Sequence, residues 1–199
     1  MVILKNMKNQ FNRIMLLDEI TNQLVAFGMN RGDEKFADYV DLNCGAIPQG
    51  RYDQIIDPQA PQQFLSLYTQ IADKRFAFAV NRLLNLNPAM KESLIDFCRR
   101  SGQALNLPVV ENAEQAFCSY CALVLDGLPW EQTKEILEKN ECKIIWKKIF
   151  ESHETAWNGN GFDIGFYYEL LQSSVEGLFF KSGFTLKITD QKIFELSKS

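Results

Sequence analysis

Apolar residues recur at spacings of three and four through most of this chain. Phe11, Ile14, Met15, Leu17, Leu24 and Val25 form one helical stripe, and Phe36, Tyr39 and Val40 form a shorter one behind the acids of "RGDEKFADYV". Residues 42–60 lose that period. They hold Gly45, Pro48, Gly50 and Pro58 and read as a long irregular loop near residue 50, with a short strand over 52–56. Pro61 then suits the first position of a helix whose stripe is Phe64, Tyr68, Ile71, Ala72, Ala79 and Leu83. "FAFAV" makes it apolar nearly all round, which places it centrally.

Local signals punctuate the second half. Asn87-Pro88 is an N-cap followed by proline at the first helical position, and Gly102 disturbs the end of the helix that follows. Asn112 with Gln115 resembles a capping box, opening a helix that Gly127 stops. Residues 129–140 and 141–157 are expected to form two more helices. "WNGNG" breaks the chain, Asp163 caps the next helix, and Ile164, Tyr167, Tyr168, Leu171, Val175 and Leu178 supply its apolar face. The tail "FTLKITDQKIFEL" alternates about Thr189-Asp190, as a small hairpin or as a strand with a final helical turn.

The expected fold is therefore mainly α: a single compact multi-helix domain over 1–199 with seven or eight helices, the loop near residue 50 and a small C-terminal β element. The boundary to test is the 42–60 loop, between an N-terminal helical pair at 1–41 and a main bundle at 61–199. A chain of 199 residues buries enough surface to need no covalent staple.

Composition narrows the function. With 25 acids against 21 bases the net charge is −4, which disfavours a nucleic-acid partner. The best basic cluster, Lys143, Lys147 and Lys148, is flanked by Glu141, Glu151 and Glu154 and reads as a solvated mixed-charge face. No apolar run is long enough for a membrane span, and the N-terminus lacks a signal peptide's apolar core, so a soluble cytoplasmic protein is expected.

Five cysteines and one histidine set the candidate chemistry. Cys118 and Cys121 in "FCSYCAL" have metal-pair spacing, but Cys98 and Cys142 are lone, so a second pair is missing. On one predicted helix, Cys142 and His153 would lie about 16.5 Å apart along the axis, too far to share an ion. The apolar neighbours of Cys118 favour a packed thiol over a redox one. No metal or cofactor is expected, and a zinc-stabilised interaction module is the weaker alternative. Phosphate-loop, nucleophile-elbow, dinucleotide and zinc-protease motifs are all missing. The catalytic alternative is a cysteine-dependent hydrolase or transferase using a Cys44–His153 dyad.

Aromatic residues supply the last clue. Ten of the 24 fall between Trp146 and Phe184, more than one helix face buries. The leading expectation is a non-catalytic module of adaptor, secretion-chaperone or inhibitor type in a hetero-complex with another protein. It would dock through Trp157, Phe162, Phe166, Phe179 and Phe180, with acids at the rim.

Overall fold

The computed structural model describes residues 2–159, 164–190 and 192–198. Eight α-helices and four strands are present among them: α1 (Val2–Met29), α2 (Phe36–Cys44), α3 (Tyr52–Ile55), α4 (Pro61–Leu86), α5 (Lys91–Ala104), α6 (Ala113–Leu123), β1 (Lys134–Lys139), β2 (Lys143–Lys148), α7 (Glu154–Asn158), α8 (Ile164–Leu178), β3 (Phe184–Thr189) and β4 (Ile193–Lys198). The chain is mainly helical, with a small antiparallel sheet near its C-terminal end. The described helices include none long and apolar enough to cross a membrane.

α4 is the central rod. Pro61 stands in its first turn, where the missing N–H costs nothing. It buries Leu65, Ala72, Phe76, Ala79, Val80 and Leu83, with α1 lying along it. α5 and α8 form the closest helix pair, and two glycines permit it. A Cβ on Gly102 would stand 2.2 Å from the Ser174 carbonyl oxygen, and one on Gly177 would stand 2.0 Å from that of Arg99. Gly102 therefore lies inside α5 as a contact point, not at a disturbed end.

The sheet has the order β1-β2-β4-β3, all neighbours antiparallel. Register places Trp146 opposite Phe194, and Ile144 and Leu186 opposite Leu196, so these buried residues share the face turned to the helices. Lys147, Lys187 and Glu195 occupy the other face. The expected hairpin at the tail is β3–β4, and Asp190 takes the left-handed conformation at its turn. β1 is an edge strand with exposed Ile136 and Leu137, blunted by a bulge between Ile136 and Glu138 and by flanking Lys and Glu.

Several expectations need correction. Residues 129–140 and 141–157 do not form helices; β1, β2 and the short α7 lie there instead. In "KIIWKK" the buried positions are Ile144, Trp146 and Lys148, a period of two, and pairing with β4 overrides the apparent helical stripe. The Asn140 side chain builds the intervening turn, accepting from the N–H groups of Cys142 and Lys143 at 3.0 and 2.9 Å. Cys142 and His153 thus share no helix, and the 16.5 Å separation does not apply. Residues 52–55 are one helical turn, not a strand. The 42–60 stretch is anchored by buried Cys44, Ile47 and Ile56. Asn112 caps α6 as expected, accepting from the Gln115 N–H at 3.0 Å, and Asn87 caps the turn before α5. Asp163, expected to cap α8, lies outside the described residues.

Candidate functional site: a polar hub beneath an acidic cleft

Two buried charge clusters project from α4, two residues apart. Arg75 ties the N-terminal elements together. Its guanidinium donates to Asp18 at 2.8 Å, to the Gly45 carbonyl at 2.7 Å, to Asn22 at 3.2 Å and to Asp41. It therefore binds α1, α2 and the loop after α2 to α4.

Asp73 reaches the other way, towards the sheet. Its carboxylate lies 3.0 Å from Nδ1 of His153, and the Tyr167 hydroxyl lies 2.9 Å from Nε2. A carboxylate accepts, so Nδ1 carries a proton and Nε2 accepts from Tyr167. The imidazole is 1% exposed. Asp126 Oδ1 is 3.8 Å from Nε2 and belongs to an adjoining cluster. Asp126 pairs with Lys134 at 2.7 Å and Lys148 at 3.1 Å, and Lys148 also meets Glu151 at 3.0 Å. Tyr168 donates to Glu151 in turn.

The electrostatics follow from burial and pairing. Burial alone would push the Asp126 carboxyl up; Lys148 and Lys134 more than offset it and hold it well below the usual carboxylate range. Glu151 behaves alike: burial raises it, but Lys148, the Tyr168 hydroxyl and the His153 N–H together lower it. Burial raises the Tyr167 and Tyr168 phenols, and the neighbouring carboxylates raise them further. Both remain protonated donors.

Above this hub lies an open cleft of about 570 Å³ between α4, the 127–131 turn and residues 150–159. Asp73, Glu131 and Glu151 line it with one lysine, Lys74. Phe150 lines it as well and stays 53% exposed. Trp130, in the turn that supplies Leu128 and Glu131, is also exposed. That turn is fixed by Glu131, which accepts from the Leu128 N–H at 2.8 Å, and by Gly127 at φ +74°.

The residues singled out from sequence are scattered. Trp157, Phe166 and Phe179 are buried in the core, Phe180 is half-exposed, and Phe162 lies outside the described residues. Trp157 packs between Phe76 and Tyr167, so the surplus of rings is filling the space between α4, α7, α8 and the sheet. The four described ones, Trp157, Phe166, Phe179 and Phe180, do not share one exposed face. Cys44 is buried and its thiol donates to the Lys74 carbonyl at 3.6 Å, while His153 is committed to Asp73 and Tyr167. No hydrogen bond joins Cys44 to His153.

The cysteine pair differs from expectation too. Cys118 is exposed and Cys121 half-buried; Cys98 is the thiol sealed in the core, its pKa pushed up to about 12 by burial. Among the described residues no group of three or more His, Cys, Asp or Glu is placed to hold a metal ion. Lys148, read as part of a solvated face, is 5% exposed at the centre of the hub.

Sequence reasoning missed Asp73, Asp126 and Lys148. The available signal was charge beside apolar runs: Asp73-Lys74-Arg75 directly before "FAFAV", and Asp126 ending "CALVL". Comparison with family models, curated proteins and solved structures finds no match to this chain.

Proposed function

We propose that this protein is a non-catalytic protein-binding module of adaptor type, cytoplasmic in location. Its partner contact is the acidic cleft between α4 and residues 150–159. The occupant is an extended segment of another protein that sets an apolar side chain on Phe150 and a lysine or arginine among Asp73, Glu131 and Glu151.

The observation that carries this is the pairing of a half-exposed Phe150 with an acid-lined cleft whose floor is held fixed by buried hydrogen bonds. A preorganised pocket lowers the cost of ordering a bound segment. An aromatic anchor beside it supplies the apolar contact typical of interface hot spots. Asp73, Glu131 and Glu151 outnumber Lys74 at the lining and Lys148 beneath Glu151, and the surplus favours a basic segment over an acidic one. The sole imidazole, sealed and doubly bonded, is better suited to holding the floor than to turning over a substrate.

Selection of random displayed heptapeptides on the folded protein tests the proposal. Peptides bearing Lys or Arg within two positions of a large apolar residue are expected to enrich. Retention is expected to fall on Phe150→Ala and on Glu131→Lys. Enriched peptides without basic residues, or retention undiminished on both variants, would contradict it.

A further inference from the structure

The acids that line the cleft offer a cation single oxygens, not paired ones. Asp73 is the most buried of the three, with its side chain 7% exposed. Its Oδ1 is turned into the hub, 3.0 Å from Nδ1 of His153. Its Oδ2 has no hydrogen-bond partner among the described residues, yet is not sealed from solvent. Glu131 commits one oxygen to the Leu128 N–H at 2.8 Å. Glu151 has both oxygens engaged: Oε1 accepts from Lys148 and from the His153 N–H, each at 3.0 Å, and Oε2 accepts from Tyr168. Ser66, Thr69 and Thr155 also line the cleft, each with one hydroxyl oxygen.

These acceptors suit two cations unequally. A guanidinium binds a carboxylate most strongly as a planar fork, with two parallel N–H donors on the two oxygens of one group. A fork arriving from the cleft meets one open oxygen on Asp73, because the other lies against a ring that is 1% exposed. A primary ammonium is compact, carries three donors in no fixed plane, and can join single oxygens of different groups. It is also the more strongly hydrated ion, which would count against it in a closed pocket. This cleft is open, so donors not bonded to protein keep their water.

We infer that the cleft selects a lysine of its partner over an arginine, with the ammonium on Asp73 Oδ2. The lysine is read unmodified: acetylation removes its charge, and trimethylation removes its donors. The inference rests on the cleft reading given above and makes Asp73, through its one open oxygen, the residue that sets the choice.

Isothermal calorimetry with acetyl-Ala-Leu-X-Leu-Ala-amide, X being Lys, Arg or Nε-trimethyl-Lys, decides it. The Lys peptide is expected to bind tightest and the other two at least ~10-fold more weakly, the scale of a charge-assisted hydrogen bond. In Asp73→Asn the amide oxygen stays on the His153 Nδ1–H, which turns the NH2 group to the cleft. The Lys peptide should then weaken and the Lys-over-Arg ratio fall towards one; thermal melts report that the variant folds, and the ratio in the parent decides the matter if it does not. Equal affinity for Lys and Arg in the parent, tighter binding of Arg or trimethyl-Lys, or a ratio unchanged in folded Asp73→Asn overturns this inference and leaves the cleft reading standing. No binding by any of the three peptides overturns both.

Discussion

His153 Nδ1 lies 3.0 Å from Asp73 Oδ1, although eighty positions separate them along the chain. The bond joins the central helix α4 to the turn that leads from β2 into α7, so it ties the helical part to the sheet. Asp73→Ala leaves a buried imidazole N–H without an acceptor and is expected to cost about 2–3 kcal/mol, whereas Asp73→Asn keeps an acceptor and costs about 1 kcal/mol. Urea unfolding followed by circular dichroism separates the two.

Acid should loosen the same region. Asp126 and Glu151 titrate lower in the folded chain than their ordinary values of 3.8 and 4.5. A depressed carboxylate contributes stability that is complete above its unfolded value and is lost as pH falls through the folded one. Stability is therefore expected to hold down to about pH 5 and to fall steadily below it. Lys148→Met removes the ion that lowers both groups and should cost about 3 kcal/mol at neutral pH. The variant should also lose less stability than the parent between pH 5 and pH 3. Denaturant midpoints across that range check both statements.

The α5–α8 crossing predicts a strong effect from a single methyl group. Gly177→Ala would put a Cβ 2.0 Å from the Arg99 carbonyl oxygen, a backbone atom that cannot rotate away. The helices must separate, at about 1–3 kcal/mol or more. Gly32→Ala meets no neighbouring atom within 4 Å, so only its φ of +101° opposes it. The midpoint for Gly177→Ala is expected to fall further than that for Gly32→Ala.

Thiol reactivity should divide the cysteines by burial. Cys118 and Cys142 are exposed and are expected to react quickly with an aromatic disulfide reagent near neutral pH. Burial raises the Cys44 thiol, with Lys74 and Arg75 only partly opposing it, and pushes Cys98 up to about 12. Both are expected to react only on unfolding. Rapid labelling of Cys44 that slows on His153→Ala would instead restore the catalytic dyad.

The helical framework was legible because its signals are local: Pro61 at a first turn, Asn112 capping Gln115, and stripes at three and four along α1, α4 and α8. The sheet was legible only at its tail, where Phe184, Leu186 and Ile188 alternate beside a turn. β2 was hidden because Cys142, Trp146, Ile149, Phe150 and His153 also fit a helical period, and only pairing with β4 decides between them. The abundance of rings near residues 146–184 was visible, but whether a ring is core or surface depends on what lies above it. Trp157 meets Phe76 from α4, 81 residues earlier, and Phe150 meets nothing comparable. The hub was illegible for the same reason. Asp73, Asp126, Lys148 and His153 come from four separate segments, and no spacing rule connects them.

Amide chemical-shift mapping with a single peptide, acetyl-Ala-Leu-Arg-Leu-Ala-amide, tests the central claim most directly. The predicted perturbations fall on residues 66–74, 127–131 and 150–159, diminish on Phe150→Ala and vanish on Glu131→Lys. Perturbations centred on the outer face of the sheet, around Lys147, Lys187 and Glu195, or a response equal to that from the same peptide with Glu in place of Arg, would contradict it.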